Sequence, residues 1–162
     1  MKRAMIIGCP GSGKSTFARA LRDKTGLPLH YLDRMNWNAD RTTVPEEVFM
    51  ARLQEAIRQE EWIIDGNYGG TIELRMQACD TVFFLDYPAE VCLAGVAARR
   101  GKPRPDMPWV ETGEDAAFMA FIRNYPMDSR PKILALLEKY AAEKSVIVFR
   151  SRADAEEYLR RL

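Results

Sequence analysis

Residues 8 to 15, Gly8-Cys9-Pro10-Gly11-Ser12-Gly13-Lys14-Ser15, carry a G-x-x-x-x-G-K-S spacing that constrains the fold more than any other stretch of the chain. Glycines at this density let the backbone reach positive φ, so that successive amides turn inward and form a concave anion site. The flanks fit that reading. Arg3 to Ile7 has the composition of a buried strand, and Ser15 to Lys24 sets Phe17, Ala20 and Leu21 on one helical face before Gly26 stops the helix. A strand, a loop and a helix in that order put the positive end of the helix dipole beneath the loop. Lys14 can then reach the β- and γ-phosphates of a nucleotide, and the Ser15 hydroxyl can reach Mg²⁺. The expected phosphate contacts are Gly8, Pro10, Gly11, Ser12, Gly13, Lys14, Ser15 and Thr16, with ATP and Mg²⁺ as the cofactors. The competing reading is a glycine-rich turn that only joins strand to helix.

At 162 residues the chain makes one domain, large enough to bury roughly 70% of its unfolded surface. Cys9, Cys79 and Cys92 are odd in number and widely spaced, which fits a reducing compartment rather than a disulfide framework or a zinc cluster. The apolar run Ala4 to Ile7 is too short for a secretory signal, and no stretch approaches a membrane span, so the expectation is a cytoplasmic, soluble protein. Lys and Arg total 24 against 23 Asp and Glu, which argues against direct DNA binding because no excess charge exists to grip a phosphate backbone. His30 is the only histidine. Neither a Ser-His-Asp triad nor a multi-histidine metal site can be assembled from it.

Further along, Leu29 to Leu32 reads as a second strand ending at Asp33, Trp62 to Ile64 as a third ending at Asp65, and Thr81 to Leu85 as a fourth ending at Asp86. Thr43 is the expected cap of a helix containing Phe49, Leu53 and Ala56. Pro88 suits the first turn of a helix running to Arg100. Residues 101 to 111 are rich in proline, glycine and charge and read as a flap. A capping box at Thr112 to Asp115 starts a helix expected to end before Pro126. A helix through Ile133 and Leu137, a fifth strand Val146 to Phe149 and a last helix capped at Ser151 complete the chain. Such alternation implies an α/β fold whose parallel sheet is covered on both faces, with ligands at the carboxyl ends of the strands.

Phosphoryl transfer needs positioning and charge neutralisation more than covalent chemistry. Asp65 is a candidate to orient Mg²⁺ together with Ser15; its alternative is a turn aspartate before Gly66. Asp33 is a candidate to accept the proton of a substrate hydroxyl; its alternative is a helix or turn cap. Arg99 and Arg104 in the flap could close over phosphate oxygens, with Arg130 joining from the far side, while a solvated basic loop is the plainer reading.

Over nearly its full length the chain resembles the adenylate-kinase-like P-loop kinases, and within them the bacterial DNA topology modulation proteins. The resemblance rests on GCPGSGKST at 8 to 16, HYLDRMNW at 30 to 37, WIIDGNY at 62 to 68, FFLDYP at 83 to 88, RPDM at 104 to 107 and SRPKIL at 129 to 134. It implies a three-layer fold with a five-stranded parallel sheet in order 2-3-1-4-5, a lid at about 99 to 113, and an adenine-contacting loop near Arg150 and Ser151. Two departures stand out. The run Asp65-Gly66-Asn67-Tyr68-Gly69 lacks the arginine that holds a monophosphate acceptor in adenylate kinases, and Gly95 stands where those enzymes set an arginine against the donor adenine. Two functions remain open: an ATP- and Mg²⁺-dependent kinase acting on a small-molecule acceptor, such as a nucleoside or nucleotide, and a nucleotide-dependent regulatory protein with little transfer activity. A monomer and a homodimer fit equally well.

Overall fold

A computed structural model describes residues 1–162. Five strands, β1 (Arg3–Gly8), β2 (Leu29–Tyr31), β3 (Trp62–Asp65), β4 (Thr81–Leu85) and β5 (Ser145–Phe149), pair in parallel in the order β2-β3-β1-β4-β5. In β1 the residues Ala4, Met5, Ile6 and Ile7 are all fully buried. A strand covered on both faces has no solvent side to alternate with, which is why it reads as a continuous apolar run. Register follows: Met5 lies opposite Ile64 on one side and Val82 on the other.

The helices are α1 (Lys14–Thr25), α2 (Leu32–Asn36), α3 (Glu46–Ile57), α4 (Ile72–Ala78), α5 (Ala89–Arg99), α6 (Ala116–Asp128), α7 (Arg130–Tyr140) and α8 (Arg152–Arg161). From β1 the chain crosses toward β2; every later crossover runs the opposite way along the sheet. Right-handed crossovers therefore place α1 on one face and α3, α4 and α5 to α7 on the other. On the first face Phe17 of α1 packs against Phe83 at 5.1 Å and Phe149 at 5.3 Å between ring centroids, and Tyr158 of α8 closes on Phe83 at 5.3 Å. None of the helices is long and apolar enough to cross a membrane.

Several local expectations change. The second strand stops at Tyr31, and Asp33 lies in the first turn of α2. Helix α3 begins after Pro45 rather than at Thr43; the residue before a proline is driven to extended backbone, and Thr43 instead forms an antiparallel bridge with Trp37. Helix α6 is capped by Asp115, whose carboxylate accepts from the Phe118 amide at 3.1 Å, and its last turn runs on through Pro126, with the Ser129 amide closing on the Tyr125 carbonyl at 3.0 Å. The cap at Ser151 is as expected, accepting from the Asp154 amide. Helix α4 has no apolar periodicity to announce it, because Arg75 takes a core-facing position beside Ile72, Met76 and Cys79.

The phosphate loop and α5 touch backbone to backbone. A Cβ on Gly95 would come within 2.0 Å of the Gly11 carbonyl oxygen, and one on Gly11 within 2.0 Å of the Cys92 carbonyl oxygen. Gly95 is thus a packing requirement of the loop. Replacing it with alanine forces two backbones apart, and we expect Gly95→Ala to lose about 2–3 kcal/mol of stability, read as a thermal midpoint roughly 5–10 °C lower for a chain of this size.

Candidate functional site

Gly11 and Gly13 adopt φ of 86° and 96°. That left-handed backbone is open to glycine at little cost and turns the amides between β1 and α1 toward one side. The outer side of the loop is filled. Arg152, from the first turn of α8, donates to the Ser12 carbonyl at 3.1 Å and the Gly11 carbonyl at 3.3 Å, and its guanidinium lies 5.8 Å from the centre of the Tyr87 ring. With these carbonyls satisfied from behind and the Ser12 amide closed on the Cys9 carbonyl at 3.0 Å, the amides of Gly11, Gly13, Lys14 and Ser15 are left for an anion. Asn67 holds the loop's other end, its Oδ1 accepting from the Gly8 amide at 3.2 Å. Cys9 is buried, and a hydrogen bond to Cys92 together with burial pushes its thiol well above the usual range. All three cysteines are free.

A cavity of about 420 Å³ opens at the carboxyl edge of the sheet. Pro10, Lys14 and Ser15 line it from the loop, Asp33 and Asp65 from the strand ends, and Arg99 and Arg104 from the lid. Seven of the residues singled out in the sequence therefore share one space. Thr16 is exposed and accepts from Arg19 at 3.3 Å. Arg130 and Arg150 lie outside the cavity, both held by Asp86, Arg130 through three contacts of 2.9–3.1 Å and Arg150 through one of 3.0 Å.

Asp65 is 4% exposed. Its Oδ2 accepts the Ser15 hydroxyl at 2.5 Å, while Oδ1 is buried with no partner. The turn-aspartate reading does not describe this group, which bonds no turn amide. Burial pushes its pKa up to about 6, against the pull of Lys14 and the Ser15 hydrogen bond. Asp33 likewise makes no cap: its Oδ1 accepts from the Tyr68 hydroxyl at 2.8 Å. Burial raises its pKa, with Tyr68 and Lys14 opposing. A carboxylate poised upward in this way is a better proton acceptor for a weakly acidic hydroxyl.

The loop carrying these groups depends on a residue that sequence reasoning missed. Arg75 is fully buried, and its guanidinium donates to the Gly66 carbonyl at 2.9 Å, to Thr71 Oγ1 at 3.2 Å and to the Asn67 carbonyl. Burial drives its pKa down to about 9. A buried guanidinium is tolerated only where its donors are satisfied, and here they fasten the segment after β3. No local signal marks Arg75, since an arginine in a polar-looking stretch reads as surface. Asp106 and Glu111 were also missed. Arg104 contacts Glu111 at 2.6 Å and Asp106 at 3.4 Å, Arg99 contacts Glu111 at 3.0 Å, and Arg19 of α1 reaches Asp106 at 3.4 Å. Arg99 and Arg104 are thus each paired with an acid of the lid itself.

The donor set at Ser15 and Asp65 fits a hard divalent cation: one hydroxyl, one buried carboxylate and an oxygen lacking a partner. No group of three or more His, Cys, Asp or Glu side chains could hold a metal by itself. That suits Mg²⁺, which keeps waters and takes further ligands from phosphates instead of an all-protein cage.

No protein-family model matches the chain, and no curated protein does. Among solved structures, shikimate kinase from Bacteroides thetaiotaomicron superposes with a TM-score of 0.57 at 22% identity, over 99% of this chain and 95% of that one. The likeness, with the strand order, establishes that the chain shares that protein's fold, an α/β architecture around a five-stranded parallel sheet.

Since Asp65 titrates near 6 when buried and near 3.8 when unfolded, the native chain holds a proton that the unfolded chain has released between those values, and stability falls as pH rises through that window. In buffer free of metal and nucleotide, Asp65→Asn is expected to melt higher than the parent at neutral pH, with the gap closing as pH falls from about 6 to about 4, as followed by thermal melts across that range.

Proposed function

We propose that this protein is an ATP- and Mg²⁺-dependent phosphotransferase acting on a small-molecule acceptor. The observation that carries the reading is the Ser15–Asp65 hydrogen bond at 2.5 Å, in the same cavity as Lys14 and Asp33. The loop amides and Lys14 bind the donor's phosphates, and the α1 dipole adds to their attraction. Mg²⁺, when bound at Ser15 and Asp65, neutralises charge on the donor's phosphate oxygens. Asp33 orients the acceptor hydroxyl and takes its proton, its own orientation fixed by Tyr68. Arg99 and Arg104 approach from the lid and exclude water, held in place by Glu111.

Within the P-loop kinases, the segments 30 to 37, 62 to 68 and 104 to 107 support a place nearest the DNA topology modulation proteins. Nothing in the charge of the chain supports a direct grip on DNA, its formal net charge being +1.

Lys14 supplies a full charge in a site where the rest of the loop offers partial ones. We expect Lys14→Ala to lower acceptor-dependent ADP release at least ~10-fold with the melting curve unchanged, in line with removal of one charge-stabilising contact. Turnover equal to the parent's would remove the loop from the chemistry.

A further inference from the structure

Beyond the phosphate loop, the cavity wall changes character. Trp37 and Trp109 line it with ring centroids 5.4 Å apart in an edge-to-face pair, and Tyr68 stands between Asp33 and Asn36, bonded to both. The turn at residues 38 to 42 swings Arg41, at φ 69°, over the Trp109 ring at 5.1 Å. There Arg41 Nη2 donates to the Val110 carbonyl at 3.0 Å. Trp109 Nε1 is a buried donor with no acceptor.

Of the guanidinium groups around this wall Arg41 alone has no carboxylate partner, turned instead to the Val110 carbonyl and Thr112 Oγ1; the others are paired. Arg104 is committed to Glu111 and Asp106, Arg99 to Glu111, and Arg100 faces Glu114 at 3.8 Å. Asp106 is 2% exposed, and its charge reaches Asp33. An acceptor bearing a phosphate or carboxylate would find these lid guanidinium groups already paired and would lie beside two acidic side chains. A neutral ring brings no charge up to those acids and covers the indole surface that faces the cavity.

We infer that the acceptor is an uncharged molecule of the nucleoside class, a flat heteroaromatic ring with a free hydroxyl, seated against Trp37 and Trp109 with the hydroxyl at Asp33. The inference rests on the phosphotransfer reading above and adds the acceptor's class. In the transfer, the acceptor oxygen forms a bond to the γ-phosphorus of ATP as the bond to the bridging oxygen breaks; the hydroxyl proton goes to Asp33 and ADP leaves with the bridging-oxygen electrons.

The test uses the full chain with Mg·ATP and measures acceptor-stimulated ADP release for purine and pyrimidine nucleosides, their 5′-monophosphates, and sugars and carboxylated polyols. Binding of Mg·ATP alone is followed in parallel by calorimetry. Nucleosides are expected to exceed their monophosphates in kcat/KM by at least roughly 100-fold, the scale of an uncompensated like-charge contact. Trp37→Leu and Trp109→Leu are each expected to raise the nucleoside KM about 10-fold or more, as loss of a base-stacking surface does, with the heat of Mg·ATP binding retained. The phenylalanine variants at both positions keep a ring and most of the affinity. A preference for monophosphates or for aliphatic acceptors, or a KM unmoved by both leucine variants, overturns the acceptor class while leaving phosphotransfer standing. ATP binding without stimulation by any acceptor overturns both, and the absence of any Mg·ATP heat removes the phosphotransfer reading and this inference with it.

Discussion

The site depends on the contact between the phosphate loop and α5, where Gly11 and Gly95 meet with no room for a Cβ on either. Backbone cannot be compressed, so this contact fixes the loop's distance from the helix more rigidly than side-chain packing could. Arg152 then satisfies the carbonyls that face outward, and Asn67 ties the Gly8 amide to the segment after β3. An anion site made of amides works only if the opposing carbonyls are satisfied elsewhere. Arg152, from the last helix of the chain, meets that condition for Gly11 and Ser12.

A second constraint is electrostatic. Asp65 is buried where a charge is costly, next to Lys14 and bonded to Ser15, and one of its oxygens is left without a partner. Such a group gains from a cation, and its unfavourable burial is the kind of strain that functional sites retain. In the lid the logic is reversed. Arg99 and Arg104 share Glu111, so the segment holds its shape by internal ion pairs and offers only part of its charge to a ligand. The aromatic wall formed by Trp37 and Trp109 stands in the same cavity, with the Arg41 guanidinium over the Trp109 ring.

Much of this was legible beforehand because it depended on local chemistry. The glycine spacing foretold the loop, and unbroken apolar runs foretold β1 and β4, since strands buried on both faces carry no polar alternation. The resemblance to P-loop kinases gave the strand order that the structure shows. Helix α4 stayed hidden because its inward face includes Arg75, and the start of α3 was misplaced because Pro45, not Thr43, sets the break. Gly95, read as a missing adenine contact, has a packing role that only the fold displays.

By itself, the order of residues determined the strand-loop-helix unit, the alternation of strands and helices, and the set of carboxylates and arginines available for chemistry, because each follows from near neighbours. Tertiary structure alone decided which of them act together. It brought Asp65 to Ser15 and Asp33 to Tyr68, drew Arg130 and Arg150 away to Asp86, and paired the lid's arginines with its own acids. Charge interactions are set by distance and burial, and neither can be known until the crossovers have placed the strand ends side by side.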